Sequence, residues 1–122
     1  MKKYDIHDRI FSFIVRVIEF LNKIPKTPTN LVFINQCTRS ATSMGANDQE
    51  ADGTQTKKDF VHMYTIVRKE GKETVYWVKL IENTNSERYR HESWEIVNEG
   101  NEIIAVVSTI IKNTLKSSKL SK

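Results

Sequence analysis

Ile6, Ile10, Phe13, Ile14, Val17, Phe20 and Leu21 recur at steps of three and four residues, which predicts a first amphipathic helix over residues 5–24. It stops at Ile24-Pro25, because the residue before a proline resists helical geometry. Pro28 suits the first turn of a new helix, and Thr27 suits its N-cap. From there Phe33, Ile34, Cys37, Ala41, Met44 and Ala51 continue the same period, predicting a second helix over 28–52 with Gly53 as its C-terminal stop. Thr56-x-x-Asp59 resembles a capping box, with aspartate replacing the usual glutamate or glutamine. Beyond it Phe60, Met63, Val67, Thr74, Trp77, Val78 and Ile81 mark a long third helix over 56–83. After Asn83-Thr84-Asn85-Ser86, a fourth helix over 86–116 carries Ile96, Val97, Ile103, Ile104, Val107, Ile110, Ile111 and Leu115, followed by a basic tail over 117–122.

Four helices on short connectors become antiparallel neighbours, so the fold class expected is all-α, an up-down-up-down four-helix bundle forming a single domain over 1–122. Gly71 and Gly100 fall inside helices, at about 1 kcal/mol each relative to alanine. They read either as local imperfections or as points where a neighbouring helix comes close.

Composition narrows the function classes. With 39% hydrophobic and 28% charged residues the chain reads as globular, and one cysteine with three histidines leaves few ligands for a metal. No metal site and no cofactor is expected. The apolar run of the first helix is interrupted by Ser12, Arg16 and Glu19, which argues against a membrane span or a signal peptide and for a cytoplasmic location. Nineteen Lys and Arg against fifteen Asp and Glu give +4, a mild excess whose arrangement decides its meaning.

On the third helix the cations cluster: Lys57, Lys58, Arg68, Lys69, Lys72 and Lys79 fall within about 120° of one another, with Tyr76 among them. Phosphates suit such a stripe, and an aromatic ring among the cations suits a base. Lys57, Lys58, Arg68, Lys72 and Lys79 are therefore the candidate RNA or DNA contacts, the bland alternative being a solvated face. On the second helix Arg39 needs a carboxylate, and Glu70 or Glu73 of the third helix is the expected partner in a structural ion pair. Wide apolar arcs, with Phe11, Ile14, Ile18 and Leu21 on the first helix and Val106 and Ile110 on the fourth, predict self-association.

The segments Arg39-Ser40-Ala41-Thr42-Ser43-Met44-Gly45-Ala46-Asn47, Glu50-Ala51, Lys57-Lys58-Asp59-Phe60 and Lys69-Glu70-Gly71-Lys72-Glu73-Thr74-Val75-Tyr76-Trp77 carry a resemblance. In that order they are similar to the four-helix-bundle family encoded in intervening sequences of bacterial 23S ribosomal RNA genes, also labelled S23 ribosomal protein. The resemblance extends over the first three helices and weakens over the fourth. It implies a fold like that of the accessory protein of diversity-generating retroelements, a barrel-shaped homopentamer with affinity for RNA or DNA, and no enzyme. Val67 and Gly71 stand where the family more often has alanine, and Asp48-Gln49 is more polar than the family pattern.

Enzyme readings find little support. No arginine precedes His7, His62 or His91 by the four to six residues a HEPN-type ribonuclease requires, and no Glu-x-x-His pair of a di-iron bundle occurs. Glu87 could pair with His91, or His91 with Glu95, each four residues apart, but a metal or acid–base role needs a third convergent group, so a surface hydrogen bond is the reading. Cys37 on the core face reads as an inert thiol. The function expected is a non-enzymatic oligomer that binds RNA or DNA through a basic face. The alternative is a protein-interaction scaffold.

Overall fold

The computed structural model describes the backbone of residues 5–120 and the side chains of residues 5–117. Helices α1 (Ile6–Lys23), α2 (Pro28–Ala51), α3 (Lys57–Thr84) and α4 (Arg90–Leu120) follow one another, with a 3-10 turn at Glu87–Tyr89 ahead of α4. Each helix packs on two neighbours: α2 and α4 flank α1 on one side of the bundle and flank α3 on the other. This is the antiparallel four-helix bundle that the hydrophobic period implies.

Local chemistry sets most of the helix starts. Asp5 accepts from the His7 amide at 2.9 Å, Thr27 Oγ1 from the Asn30 amide at 3.1 Å with Pro28 in the first turn, and Thr56 Oγ1 from the Asp59 amide at 3.0 Å. Ends follow the sequence less closely. No described glycine has a positive φ, so Gly53 does not close α2 in the left-handed region. Instead the Gly53 and Thr54 amides donate to Glu50 and Ala51, and Thr54 Oγ1 also donates to the Ala51 carbonyl at 2.7 Å. The fourth helix begins at Arg90 rather than 86, because Ser86 Oγ caps the Arg88 amide and tightens the intervening turn. It runs on to Leu120, so the basic tail expected from 117 is helical as far as it is described, with no glycine or proline there to break it. Ser121 and Lys122 lie outside the described residues.

The core joins Ile10, Phe13, Val17 and Phe20 of α1 to Met44, Tyr64, Val67, Val78, Ile81, Ile96, Ile103 and Val107. Leu21, expected on an outer flank, is a core residue, and Val106 and Ile110 are half-buried, so the outward apolar arcs are narrower than the sequence suggests. Phe60, Met63 and Trp77 line the edge of the core, while Tyr64 and Val75, off the expected stripe, are buried.

Both interior glycines mark close approaches. A Cβ on Gly100 would sit 2.6 Å from Val75 Cγ2 of α3 and 3.0 Å from Phe13 Cζ of α1. On Gly71 it would lie 3.1 Å from Met44 Cε and 3.3 Å from Ile104 Cγ1. Valine is stiff at χ1 whereas methionine yields, so the two sites separate on substitution. Gly100→Ala is expected to destabilise by about 1–2 kcal/mol despite the gain in helix propensity, and Gly71→Ala to be near neutral. Urea unfolding midpoints check both, and a stabilised Gly100→Ala variant would contradict the packing.

Candidate nucleic-acid interface and the polar seam behind it

The α2–α3 seam is unusually polar, and its pairs run in antiparallel order. Asn30 and Asn85 exchange side-chain hydrogen bonds at 2.9 and 3.1 Å, Ser40 Oγ meets Thr74 Oγ1 at 2.7 Å, and Ser43 Oγ donates to Glu70 at 3.4 Å. Further along, Tyr64 donates its hydroxyl to Asp48 Oδ1 at 2.7 Å. One step of slippage would unpair all of these groups, so the seam fixes the register of α3 and with it the direction its outer face takes.

Arg39 lies on the rim of this seam and donates to Glu73 and, at 3.5 Å, to Glu70. Trp77 Nε1 donates to Glu73 at 3.1 Å, and together with the Arg39 guanidinium this holds the Glu73 carboxyl below the usual range, against the opposing effect of burial. The Arg39 guanidinium is correspondingly held more firmly charged, chiefly by its hydrogen bond to Glu73. Cys37 lies beneath, buried. Its thiol is pushed up to about 12, first by burial and then by the charge of Glu73, which leaves essentially no thiolate at neutral pH.

A second cluster, unforeseen from the sequence, ties three helices together. Asp48 is 1% exposed and receives both the Tyr64 hydroxyl and His7 Nδ1, the latter at 2.9 and 3.0 Å from its two oxygens, while His7 Nε2 lies 3.3 Å from Asp52. Burial and the Asp48 hydrogen bond raise the Tyr64 phenol far above its ordinary value. Burial pulls the other way on His7, but the hydrogen bond to Asp48 and the charges of Asp48, Asp52 and Asp5 outweigh it and raise His7 above 6.5. A raised folded-state value means that protonated His7 stabilises the bundle fully below the unfolded value, and that this contribution is lost as pH climbs through the folded one. Thermal midpoints should therefore fall as pH rises above about 6.5, and His7→Gln should flatten that fall; a midpoint rising across this range would contradict the cluster. An apolar groove of about 250 Å³ adjoins the cluster between α1 and α2, walled by Phe11, Ile14, Gly45 and Ala46.

The α1–α4 seam consumes its charges internally. Arg9 pairs with Glu99 at 2.7 Å and Glu102 at 2.6 Å, Arg16 with Glu95, and Lys23 with Glu92 at 3.1 Å. His91, which the sequence places beside Glu87 and Glu95, lies 3.2 Å from Glu95 and stacks on Trp94. Among the described residues no group of three or more His, Cys, Asp or Glu could hold a metal ion. No helix among them is long and apolar enough to cross a membrane.

The outer face of α3 is different. Lys58, Lys72 and Lys79 are exposed and Arg68 is half-buried, and among the described residues none of the four has an ion-pair partner. Lys57, at the helix start, donates to Ser117 Oγ at 3.2 Å. Tyr76 stands on this face 55% exposed, beside an open groove lined by Lys72, Val75, Lys79, Leu80 and Asn83.

The family model of the 23S rRNA-intervening sequence protein matches residues 2–109. The chain belongs to this family. A crystal structure of a protein with unknown function from the S23 ribosomal protein family of Bacteroides thetaiotaomicron superposes with a TM-score of 0.79 at 32% identity, covering 88% of this chain and 99% of that one. No curated protein matches the chain. Membership in the 23S rRNA-intervening sequence protein family places the bundle among relatives of the same architecture, and it leaves the chemistry of the α3 face to be argued from its own residues.

Proposed function

We propose that this protein is a non-enzymatic, self-associating cytoplasmic bundle that binds RNA or DNA along the outer face of α3. One observation carries the reading: the basic groups of α1 are spent on glutamates of α4, whereas Lys58, Arg68, Lys72 and Lys79 project from one helical face and have no acidic partner among the described residues. Cations left in this way are available to release counterions from a phosphate backbone, so affinity is set by phosphate contacts and falls steeply with salt. Lys57 extends the same face at its N-terminal end.

Self-association is supported by Phe11, 66% exposed, and by Val15, Leu31 and Val32, also exposed on α1 and α2. Apolar groups of this size left in water favour burial against a second copy. The family resemblance puts the number of subunits at five. Size-exclusion with light scattering tests that part, and a monomer would contradict it.

Filter retention of structured RNA and DNA across a salt series tests the binding reading. Retention at low ionic strength that disappears as salt is raised is the expected result. No retention at any salt concentration would overturn it and favour the protein-interaction scaffold.

A further inference from the structure

The groove beside Tyr76 has a composition that phosphate binding alone does not account for. Val75 and Leu80 supply apolar surface, Lys72 and Lys79 stand one helical turn to either side of Tyr76, and Asn83 lies at the end. The ring is steadied from behind: the Trp77 indole meets it nearly edge-on, at 5.1 Å between centroids and 71° between planes. Trp77 is itself fixed through Glu73 to Arg39, so the seam between α2 and α3 presents Tyr76 outward in a set position.

A fully paired helix offers this groove only phosphates, because its bases are stacked on one another. An exposed phenol ring over an apolar wall gains from a base only when that base is free to leave its stack. Lys72 and Lys79 are about 10 Å apart along the helix, a span that brackets the phosphates on both sides of one nucleotide. Lys58 and Arg68 extend the stripe to about 30 Å in all and suit the phosphates of an adjoining paired stem.

We propose that the Tyr76 groove holds an unpaired nucleotide of a folded RNA, with its base on the Tyr76 ring, its phosphates on Lys72 and Lys79, and the neighbouring stem on Lys58 and Arg68. RNA is the ligand that carries bulged or looped bases directly beside paired phosphates, which fills both parts of the face at once. This assignment rests on the reading of α3 as a nucleic-acid face.

The test uses the full chain and two RNA hairpins, one fully paired and one with a single bulged 2-aminopurine. The bulged hairpin is expected to bind about tenfold more tightly, with its emission quenched on binding. Tyr76→Phe should keep the preference. Tyr76→Ala should abolish it, leaving the affinity for the paired hairpin and the circular dichroism melt unchanged. If both hairpins bind the wild type equally, or if Tyr76→Ala weakens both alike, the nucleotide site is wrong while the basic face stands. If neither hairpin binds at low salt, the basic face falls too. A bulged DNA hairpin that binds as tightly as the RNA would overturn the assignment to RNA.

Discussion

Asp48→Ala is expected to destabilise the bundle by about 3 kcal/mol. The carboxylate is buried and serves two donors from different helices, Tyr64 of α3 and His7 of α1. Truncation leaves the Tyr64 hydroxyl buried without an acceptor, and each such orphan costs about 1–3 kcal/mol. It also removes the carboxylate whose hydrogen bond and charge, against the effect of burial, raise His7 above its ordinary value. For a chain of this length a loss of that size corresponds to roughly 10 °C in melting temperature. Asp48→Asn, which keeps an acceptor for Tyr64 but not the charge facing His7, should lose less and should also flatten the pH dependence. Circular dichroism melts of the three proteins check the order. An Asp48→Ala variant melting within about 2 °C of the wild type would contradict the role given to the cluster.

Replacing Lys58, Arg68, Lys72 and Lys79 together by glutamine is expected to lower affinity for structured RNA about a hundredfold or more at roughly 50 mM salt. The physical ground is the absence of competition within the chain. None of the four has an ion-pair partner among the described residues, so each contributes its charge to a ligand without first breaking a bond. For the same reason the substitutions should hardly change stability, since surface positions away from caps and buried pairs shift it by about 0.5 kcal/mol or less each. A comparable change at Arg9 and Arg16 should do the reverse: it breaks the α1–α4 ion pairs and weakens the fold while leaving the α3 face intact. Fluorescence anisotropy with a labelled hairpin, paired with thermal melts, separates the two sets. Unchanged affinity in the four-cation variant would show that the ligand lies elsewhere.

What the sequence reveals about this fold is what local chemistry decides. Thr27-Pro28 and Thr56-x-x-Asp59 announce helix starts because each cap bonds an amide only three residues away. Arg39 declares its need for a carboxylate, which is met chiefly by Glu73 and, at 3.5 Å, by Glu70, the residue that the apolar period of α3 brings to the seam. The Asp48 cluster was hidden because its partners lie 16 and 41 residues away, and periodicity treats a polar residue on a core face as an interruption. A signal was nonetheless available: Asp48 follows Met44 by four residues and Ala41 by seven, so it shares their buried face, and a carboxylate there requires donors. Asn30 and Asn85 were missed for the same reason, being 55 residues apart in sequence. Gly100 was legible only as a choice between a defect and a close approach, because the neighbours that decide it, Val75 and Phe13, come from two other helices. For the α3 stripe, sequence supplies the charges, and only the fold shows that glutamates of α4 pair with α1 while no described acidic group pairs with Lys58, Arg68, Lys72 or Lys79.

The central claim is that unpaired cations on α3 meet phosphates, and the most direct measurement is the equilibrium binding constant for a structured RNA hairpin across a salt series. With at least four phosphates neutralised, log K should fall against log salt with a slope of about −3 to −4 or steeper, and the glutamine variant of the four cations should lose most of that slope. A wild-type affinity indifferent to salt, or a slope that survives the four substitutions, would contradict the account.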